Sequence, residues 1–437
     1  MEVREKMNEK IILIQIAALG YNFLVKNLKQ EKLGLMEIKP LKGLFPALTC
    51  TVQATLRTAV LPSVHGIVGN GYFENKLLKP MFWEQSSRLI DGSRIWDNFR
   101  SRGGKVAQMF IQQSLGMDSD IFFSPAPVHK HHGGMILDCM SNPVSLNERL
   151  KKEIGSDFPL HSYWGPFASR KSGDWIIKAV KNVMLNEKPG FLFTYIPHLD
   201  YDLQRFGPDS KEALVALNIV MEYLEVLFTV AKEQGYKVLV FGDYSITPAS
   251  HVIFPNKLLR AEGLLKTRNV RGMMYPNYYI SPAFAAADHQ IAHVYVFDPD
   301  KLSQVRALFE KMEGVDQVID GKSGNSGIEN KRSGEIVLIA KRGCWFDYRW
   351  WDDKKEAPEY ASHVDIHNKP GYDPCELLKG RNPFKIRQDP GLIKGTHGRV
   401  DEDEPVFYAS DIYLGNPESI LELSRSIKNI LESRGGN

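Results

Sequence analysis

The feature that most constrains the fold of this chain is the alternation of short apolar runs with longer helical patterns. Four runs have the length and the continuous apolar character of strands buried on both faces, at residues 11–16, 105–111, 191–197 and 237–242. Helical spacing precedes the last two runs, at residues 174–185 and 210–233. Because strands that alternate with helices form βαβ units, the sequence predicts an α/β fold with a largely parallel central sheet.

The pattern changes after about residue 250. Residues 292–297 predict a strand, 301–312 a helix, and 315–319 and 335–340 two further strands. We interpret this β-α-β-β unit as a smaller α+β cap. The chain has 437 residues, more than one simple core usually contains. We therefore assign residues 1–250 and 390–437 to the α/β core and residues 251–389 to an inserted cap domain.

Composition excludes several classes of protein. Lysine and arginine number 55 against 52 aspartates and glutamates, without a basic stripe, so no nucleic-acid partner is expected. We also expect no membrane partner, because no apolar run approaches the roughly 20 residues that span a bilayer. The four cysteines are scattered without a C-x-x-C pair, which is typical of free thiols and predicts a cytoplasmic location. The sequence leaves the oligomeric state open.

The most informative stretch for chemistry is residues 44–73. A proline-containing turn leads to Thr49, a predicted helix follows over 52–60, and an H-G-I-x-x-N element then ends at Asn70. A hydroxyl at a helix N-terminus lies where backbone N–H groups and the helix dipole favour negative charge, which suits attack on a phosphoryl centre. The alternative is that Thr49 or Thr51 only caps the helix.

Three other polar blocks contain candidate site residues. Asp200 follows one predicted strand, Asp243 follows another, and His397 lies in a late K-G-T-H-G element. Ligands of open α/β sheets gather at the carboxyl ends of the strands, so we expect these side chains to meet Thr49 in one cleft. The alternatives are that the aspartates cap turns and that the histidine is structural.

The segment around Thr49 resembles the nucleophile region of the nucleotide pyrophosphatase/phosphodiesterases and of phosphonoacetate hydrolase, in the alkaline phosphatase superfamily. The resemblance implies an alkaline-phosphatase-like three-layer sandwich. It places Thr49 as the nucleophile and Asn70 as a residue that helps to hold a phosphate oxygen. It also aligns Asp200, Asp243 and His397 with metal ligands of that family.

Three positions depart from the family pattern. Ala17 stands where the first strand usually carries an aspartate, and Gln204 and Tyr244 stand where histidines are usual. A two-zinc site needs several oxygen and nitrogen ligands for each ion. The usual site is therefore in doubt, and the number of ions is left open.

Substitute ligands are available nearby in the sequence. His198 precedes Asp200 by two residues, and Asp365 and His367 would share one face of a strand as residues i and i+2. The alternative for Asp365 and His367 is a hydrogen-bonded structural pair. For His289 and His293 the alternative to metal binding is a buried pair beside a strand.

The motifs D-H-Q-x-A-H-V-Y-V at 288–296 and V-D-I-H-x-K-P-G-Y-D-P at 364–374 resemble a broad group of type I phosphodiesterase/nucleotide pyrophosphatase-like proteins. The resemblance implies a metal-dependent hydrolase of phosphate esters, phosphodiesters or phosphonates. In such a hydrolase, Thr49 would take the phosphoryl group from a small phosphorylated substrate and form a phospho-enzyme. A divalent metal would assist, with zinc expected and manganese or magnesium as alternatives. Because ligands are lost, the second hypothesis is a non-catalytic pseudo-phosphodiesterase that binds a phosphorylated metabolite or a protein partner.

Overall fold

Two sheets organise the chain. The computed structural model describes residues 10–28, 31–131, 134–382 and 385–433. In chain order the strands of the two sheets are β1 (Lys10–Ile16), β2 (Lys39–Leu41), β3 (Val106–Met109), β4 (Ile121–Pro125), β5 (Cys139–Asn142), β6 (Phe191–Ile196), β7 (Tyr236–Gly242), β8 (Ala283–Asp288), β9 (Ile291–Val296), β10 (Val315–Asp320), β11 (Ile336–Ala340) and β12 (Val406–Ser410).

The main sheet has eight strands in the order β5-β4-β3-β6-β1-β7-β12-β2. The five strands from β4 to β7 in this order run parallel, and β5 and β12 run in the opposite direction. The edge strand β2 pairs antiparallel with β12 and so runs in the direction of the five. Ile16, the last residue of β1, pairs with Ile196 at the end of β6 and with Gly242 at the end of β7. The loops after these three central strands therefore start at the same edge of the sheet.

Helices cover both faces of this sheet, apart from two, Pro255–Ala261 and Leu302–Glu310, which pack against the second sheet. They are α1 (Tyr21–Leu28), α2 (Thr49–Thr58), α3 (Pro62–His65), α4 (Asp97–Ser101), α5 (Ser145–Ile154), α6 (Arg170–Asn186), α7 (His198–Phe206), α8 (Lys211–Gln234), α9 (Pro255–Ala261), α10 (Leu302–Glu310) and α11 (Ile420–Ser433). Alternate residues of β1 point to opposite faces. Ile12 and Ile14 belong to the same buried cluster as α6 and α8, whereas Ile11 and Leu13 belong to that of α2 and α11. The predicted three-layer sandwich with a largely parallel sheet is confirmed.

The second sheet is antiparallel, in the order β8-β9-β11-β10, with α10 between β9 and β10 in the chain. The sequence predicted three of its strands and missed β8, because A-F-A-A-A-D lacks the β-branched residues that mark strands. Phe73 and Phe82, from the predicted core, lie in the hydrophobic cluster of this sheet. The division into core and cap stays a prediction.

Residues 366–368 form a turn and Asp365 lies outside any strand, so the prediction that Asp365 and His367 share a strand face is wrong. Pro370 and Gly371 follow shortly after, which favours turns over strands.

Among the described residues, one helix, α8, is long and apolar enough to cross a membrane by length and composition. It contacts α6, α7 and β7 through buried residues such as Leu217, Val220 and Leu224. Core helices of soluble proteins pass the same test, and the expectation of no membrane partner stays a prediction. The four cysteines are free and buried.

Candidate functional site

Thr49 is the first residue of α2, and the helix therefore begins earlier than predicted. The N-cap residue is Leu48, which has extended backbone and no side-chain cap, so Thr49 does not cap the helix. Its side chain is buried, and Oγ1 lies 3.3 Å from the hydroxyl oxygen of Tyr244. The hydroxyl of Thr49 thus faces the loop after β7.

The H-G-I-x-x-N element holds the first turns of α2 in place. His65 accepts a hydrogen bond at Nδ1 from the Ile67 N–H (3.1 Å), and its Nε2 lies 2.9 Å from Oγ1 of Thr55. Burial lowers the pKa of His65 to about 3, so the imidazole is neutral. Asn70 Oδ1 accepts from the Cys50 N–H at 3.1 Å. The histidine of the motif is structural, and the asparagine contacts the residue after Thr49.

Asn70 also bonds to the second sheet. Its Nδ2 donates to Asp288 Oδ1 at 3.1 Å, and its backbone N–H donates to Asp288 Oδ2 at 2.8 Å. The amide is therefore already oriented by the protein. Its predicted contact with a phosphate oxygen stays a prediction.

Asp200 lies in the first turn of α7 and is buried. Oδ1 accepts from the Tyr244 hydroxyl at 3.1 Å, and Oδ2 accepts from Gln204 Nε2 at 2.7 Å. The Tyr372 hydroxyl in turn donates to Gln204 Oε1 at 2.7 Å. Burial raises the pKa of Asp200 to about 7, against the opposing effect of these hydrogen bonds.

Asp243 follows β7 and is completely buried. Oδ2 accepts from Gln15 Nε2 at 2.6 Å, and Oδ1 accepts from the backbone N–H groups of Ala18 (3.0 Å) and Tyr244 (2.9 Å). Burial raises the pKa of Asp243 to about 8. Both of its oxygens are thus bound by donors from the ends of β1 and β7.

His397 is part of a column of four rings. Tyr244 stacks on His397 with centroids 3.6 Å apart and an interplanar angle of 4°, His289 lies 3.8 Å from the other side, and Tyr372 stacks on His289 at 3.6 Å. The Nδ1–H of His397 donates to the Ala47 carbonyl oxygen at 2.7 Å. Burial lowers the pKa of His397 well below its ordinary value, so the ring is neutral.

Thr49, Asp200, Asp243 and His397 therefore do meet at one edge of the sheet. Thr49, Asp200 and His397 each contact Tyr244, and Asp243 directly precedes Tyr244 in the chain. The cleft that the sequence predicted between them is filled by the tyrosine ring.

The three substitute ligands have other contacts. His198 faces the rings of Tyr201 and Tyr223, and neither nitrogen has a hydrogen-bond partner among the described residues. In a helix, residues i and i+2 point in different directions, which separates His198 from Asp200. Asp365 accepts from Asn368, and Nδ1 of His367 lies 3.1 Å from the Phe82 carbonyl oxygen.

These residues do not fit a metal ion. Within the described ranges, no group of three or more histidine, cysteine, aspartate or glutamate side chains is arranged to hold one. The oxygens of Asp200 and Asp243 already accept hydrogen bonds from the protein. The set Asp200, Asp243 and His397 therefore comes together without forming a metal site.

Sequence reasoning missed Gln15, Tyr372 and the stacking role of His289. Gln15 carried a signal, because it is the single polar residue in the otherwise apolar stretch from Ile11 to Ile16. His289 carried no such signal, and only the structure shows that it adopts φ +60° in a two-residue turn, a conformation that glycine and asparagine favour. Tyr372 offered no comparable signal.

Thr49, Asp200, Asp243, Tyr244 and His397 form one polar centre at the edge of the sheet. The fold and the position of this centre define an α/β protein of the alkaline-phosphatase-like class. Phosphonoacetate hydrolase from Sinorhizobium meliloti 1021, solved in complex with phosphonoformate, superposes with a TM-score of 0.61 at 15% identity, covering 97% of this chain and 96% of that one. Murine ectonucleotide pyrophosphatase / phosphodiesterase 5 gives 0.60 at 16% identity, covering 98% and 96%. The human protein of the same name gives 0.61 at 14% identity, covering 97% and 95%.

The family model for type I phosphodiesterase / nucleotide pyrophosphatase matches residues 33–373, and the chain belongs to this family. The predicted family is thereby confirmed. Membership supports phosphoester hydrolysis as the general class of function. Proteins of the family generally depend on divalent metal, which makes the filled centre of this chain a departure.

Proposed function

We propose that this chain hydrolyses a phosphate ester, phosphodiester or phosphonate, with Thr49 as the nucleophile. The observation that carries the proposal is the position of Thr49 at the start of α2, with its hydroxyl 3.3 Å from the Tyr244 hydroxyl. Because the Tyr244 hydroxyl donates to Asp200, the Thr49 hydroxyl is the donor in the first contact. Tyr244 thus orients Thr49 Oγ1.

In the proposed reaction, Oγ1 of Thr49 bonds to phosphorus and its proton passes to the leaving group, which departs with the electron pair of the bond that breaks. Water then attacks the phosphothreonine, a proton of the water returns to Oγ1, and phosphate, a phosphate monoester or a phosphonate is released. The first backbone N–H groups of α2 have no partner within the helix and favour negative charge at this point. Metal roles for Asp200, Asp243 and His397 do not enter this proposal.

The test compares Thr49→Ala with Thr51→Ala in the full chain. Thr51 lies in the same helical turn, is buried, and its hydroxyl has no partner among the described residues, so it is a matched control. We expect Thr49→Ala to lower kcat/KM by about 1,000-fold or more on p-nitrophenyl phosphate, bis(p-nitrophenyl) phosphate or p-nitrophenyl phenylphosphonate. Thr51→Ala should stay within a few-fold. Equal activity of Thr49→Ala and the wild type would remove Thr49 from the mechanism.

One observation favours a second candidate, a relative that binds a phosphorylated metabolite without turnover. Among the described residues, no lysine or arginine makes a hydrogen bond or ion pair with Thr49, Asp200, Asp243 or His397. Stabilisation of the transferred phosphoryl group usually relies on such cations or on metal ions. Wild-type protein that binds inorganic phosphate or AMP in calorimetric titration, yet cleaves none of the three chromogenic probes, would exclude hydrolysis and support this candidate.

The other expectations stand beside this proposal as predictions. They are a cytoplasmic location, a small phosphorylated ligand and no nucleic-acid partner.

A further inference from the structure

We propose that four polar side chains, Gln15, Gln204, Tyr244 and Tyr372, replace the divalent ions of the family at this centre. In this chain, hydrogen bonds from the protein hold Asp200 and Asp243 where an ion would otherwise hold them. The inference goes beyond the proposed function, because it is true or false whether or not Thr49 is a nucleophile.

The first step of the argument is Asp200. A carboxylate that binds a metal gives oxygen lone pairs to the ion. Here Oδ1 accepts from the phenol of Tyr244 and Oδ2 from the amide of Gln204, four residues later on the same helical face. Tyr372 then donates to the amide oxygen of Gln204, which fixes the orientation of the amide. Two of these residues stand at positions where the family has histidines.

The second step is Asp243. Its three donors are Gln15 Nε2 and two backbone N–H groups, and all three distances are between 2.6 and 3.0 Å. A buried carboxylate is stable only when its oxygens are paired. Gln15 supplies that pairing from β1, and Ala17, directly after this strand, stands where the family has a ligand.

The third step is the ring of Tyr244. Ligand atoms lie about 2.0–2.3 Å from a bound zinc ion, so Asp200 and His397 could share an ion only with open space between them. Tyr244 occupies that space, because its hydroxyl bonds Asp200 while its ring stacks on His397 at 3.6 Å. An ion there would have to displace a buried tyrosine and break its hydrogen bond.

The test measures bound metal. The full wild-type chain and an Asp200→Asn variant, each checked for folding by circular dichroism, are incubated with excess Zn²⁺ or Mn²⁺ and dialysed. Metal per chain is then counted by mass spectrometry. We expect the two proteins to differ by less than about 0.1 equivalent. A loss of about one equivalent on going from wild type to Asp200→Asn would overturn the proposal.

A second variant restores the family ligands, as Ala17→Asp, Gln204→His and Tyr244→His together. We expect it to gain about one equivalent of zinc or more over the wild type. The control variant carries two histidines in place of exposed tyrosines, Tyr279→His and Tyr413→His. We expect this control to bind no more zinc than the wild type.

The melting temperature of the wild type gives an independent reading if the restored variant does not fold. We expect it to be unchanged by zinc or by a chelator. A rise of several degrees with zinc that is abolished by Asp200→Asn would contradict the inference, because binding to the folded state raises stability.

Discussion

At the scale of single residues, Tyr244 determines the character of the centre. It contacts Thr49 and Asp200 through its hydroxyl and His397 through its ring face. A histidine at this position would present a nitrogen lone pair to an ion, whereas a tyrosine presents a donor to a carboxylate. One substitution therefore converts a ligand position into a hydrogen-bonding position.

Tyr244→Phe tests this role on stability. The change removes one donor from a buried carboxylate and keeps the ring stack, so we expect the free energy of unfolding to fall by about 1–3 kcal/mol. The matched control is Tyr236→Phe, because Tyr236 is also buried and its hydroxyl has no partner among the described residues. Denaturant unfolding of both variants measures the difference. A smaller loss for Tyr244→Phe than for Tyr236→Phe would argue against the hydrogen bond.

At the scale of elements, the site depends on close contact between the loops after β1 and β7. A Cβ atom on Gly242 would lie 1.9 Å from the carbonyl oxygen of Leu19, and one on Gly20 would lie 2.2 Å from Oγ of Ser245. Only glycine allows the two strand ends to approach this closely. The approach brings the Ala18 N–H to Asp243.

Gly242→Ala should therefore disturb the strand end. Because the contact is with backbone, which cannot move aside like a flexible side chain, we expect a loss of about 3 kcal/mol in the free energy of unfolding. Gly391→Ala serves as the control, since its Cβ would meet only Asp389 Oδ1 at 3.5 Å, and it should change stability by less than about 0.5 kcal/mol. Thermal unfolding of the two variants measures these losses in stability. Equal losses for Gly242→Ala and Gly391→Ala would refute the argument.

At the scale of the whole molecule, a buried ion network links the segment of Tyr372 to the main domain. Lys369 Nζ lies 2.9 Å from Asp373 Oδ2 and 2.7 Å from Glu376 Oε1, and all three side chains are at most 2% exposed. The indole N–H of Trp164 donates to Glu376 Oε2 at 2.6 Å. The network spans residues assigned by sequence to the cap and to the core, and it places Tyr372 against His289.

Lys369→Met should destabilise the chain strongly. It leaves the buried Glu376 without its cation and Asp373 with Arg349 alone, at 3.6 Å. Breaking a buried pair in this way costs about 3–5 kcal/mol. The control is Lys26→Met, which removes an ion pair with Asp209 whose side chains are 70% and 72% exposed. We expect this control to lower the free energy of unfolding by less than about 1 kcal/mol. The midpoints of denaturant unfolding measure the stability loss in each variant. Similar losses for both variants would show that the buried network adds nothing.

The sequence alone predicted much of the architecture. The four strands of continuous apolar character and the helices before two of them are local patterns, and periodicity reports local burial directly. The same reasoning missed β8, whose alanines carry no strand signal. It also placed Asp365 and His367 on a strand, whereas residues 366–368 form a turn.

For the site, the sequence alone determined that Thr49, Asp200, Asp243 and His397 follow strands or begin helices at one edge of the sheet, since topology sends parallel strand ends to the same side. Only the tertiary structure decided what fills the space between them. Tyr372 and Tyr244 come from segments 128 positions apart in the numbering, and both connect to Asp200 through hydrogen bonds. Whether a carboxylate faces an ion or a phenol depends on such long-range contacts, because hydrogen-bond partners are chosen by distance in space and not by spacing along the chain.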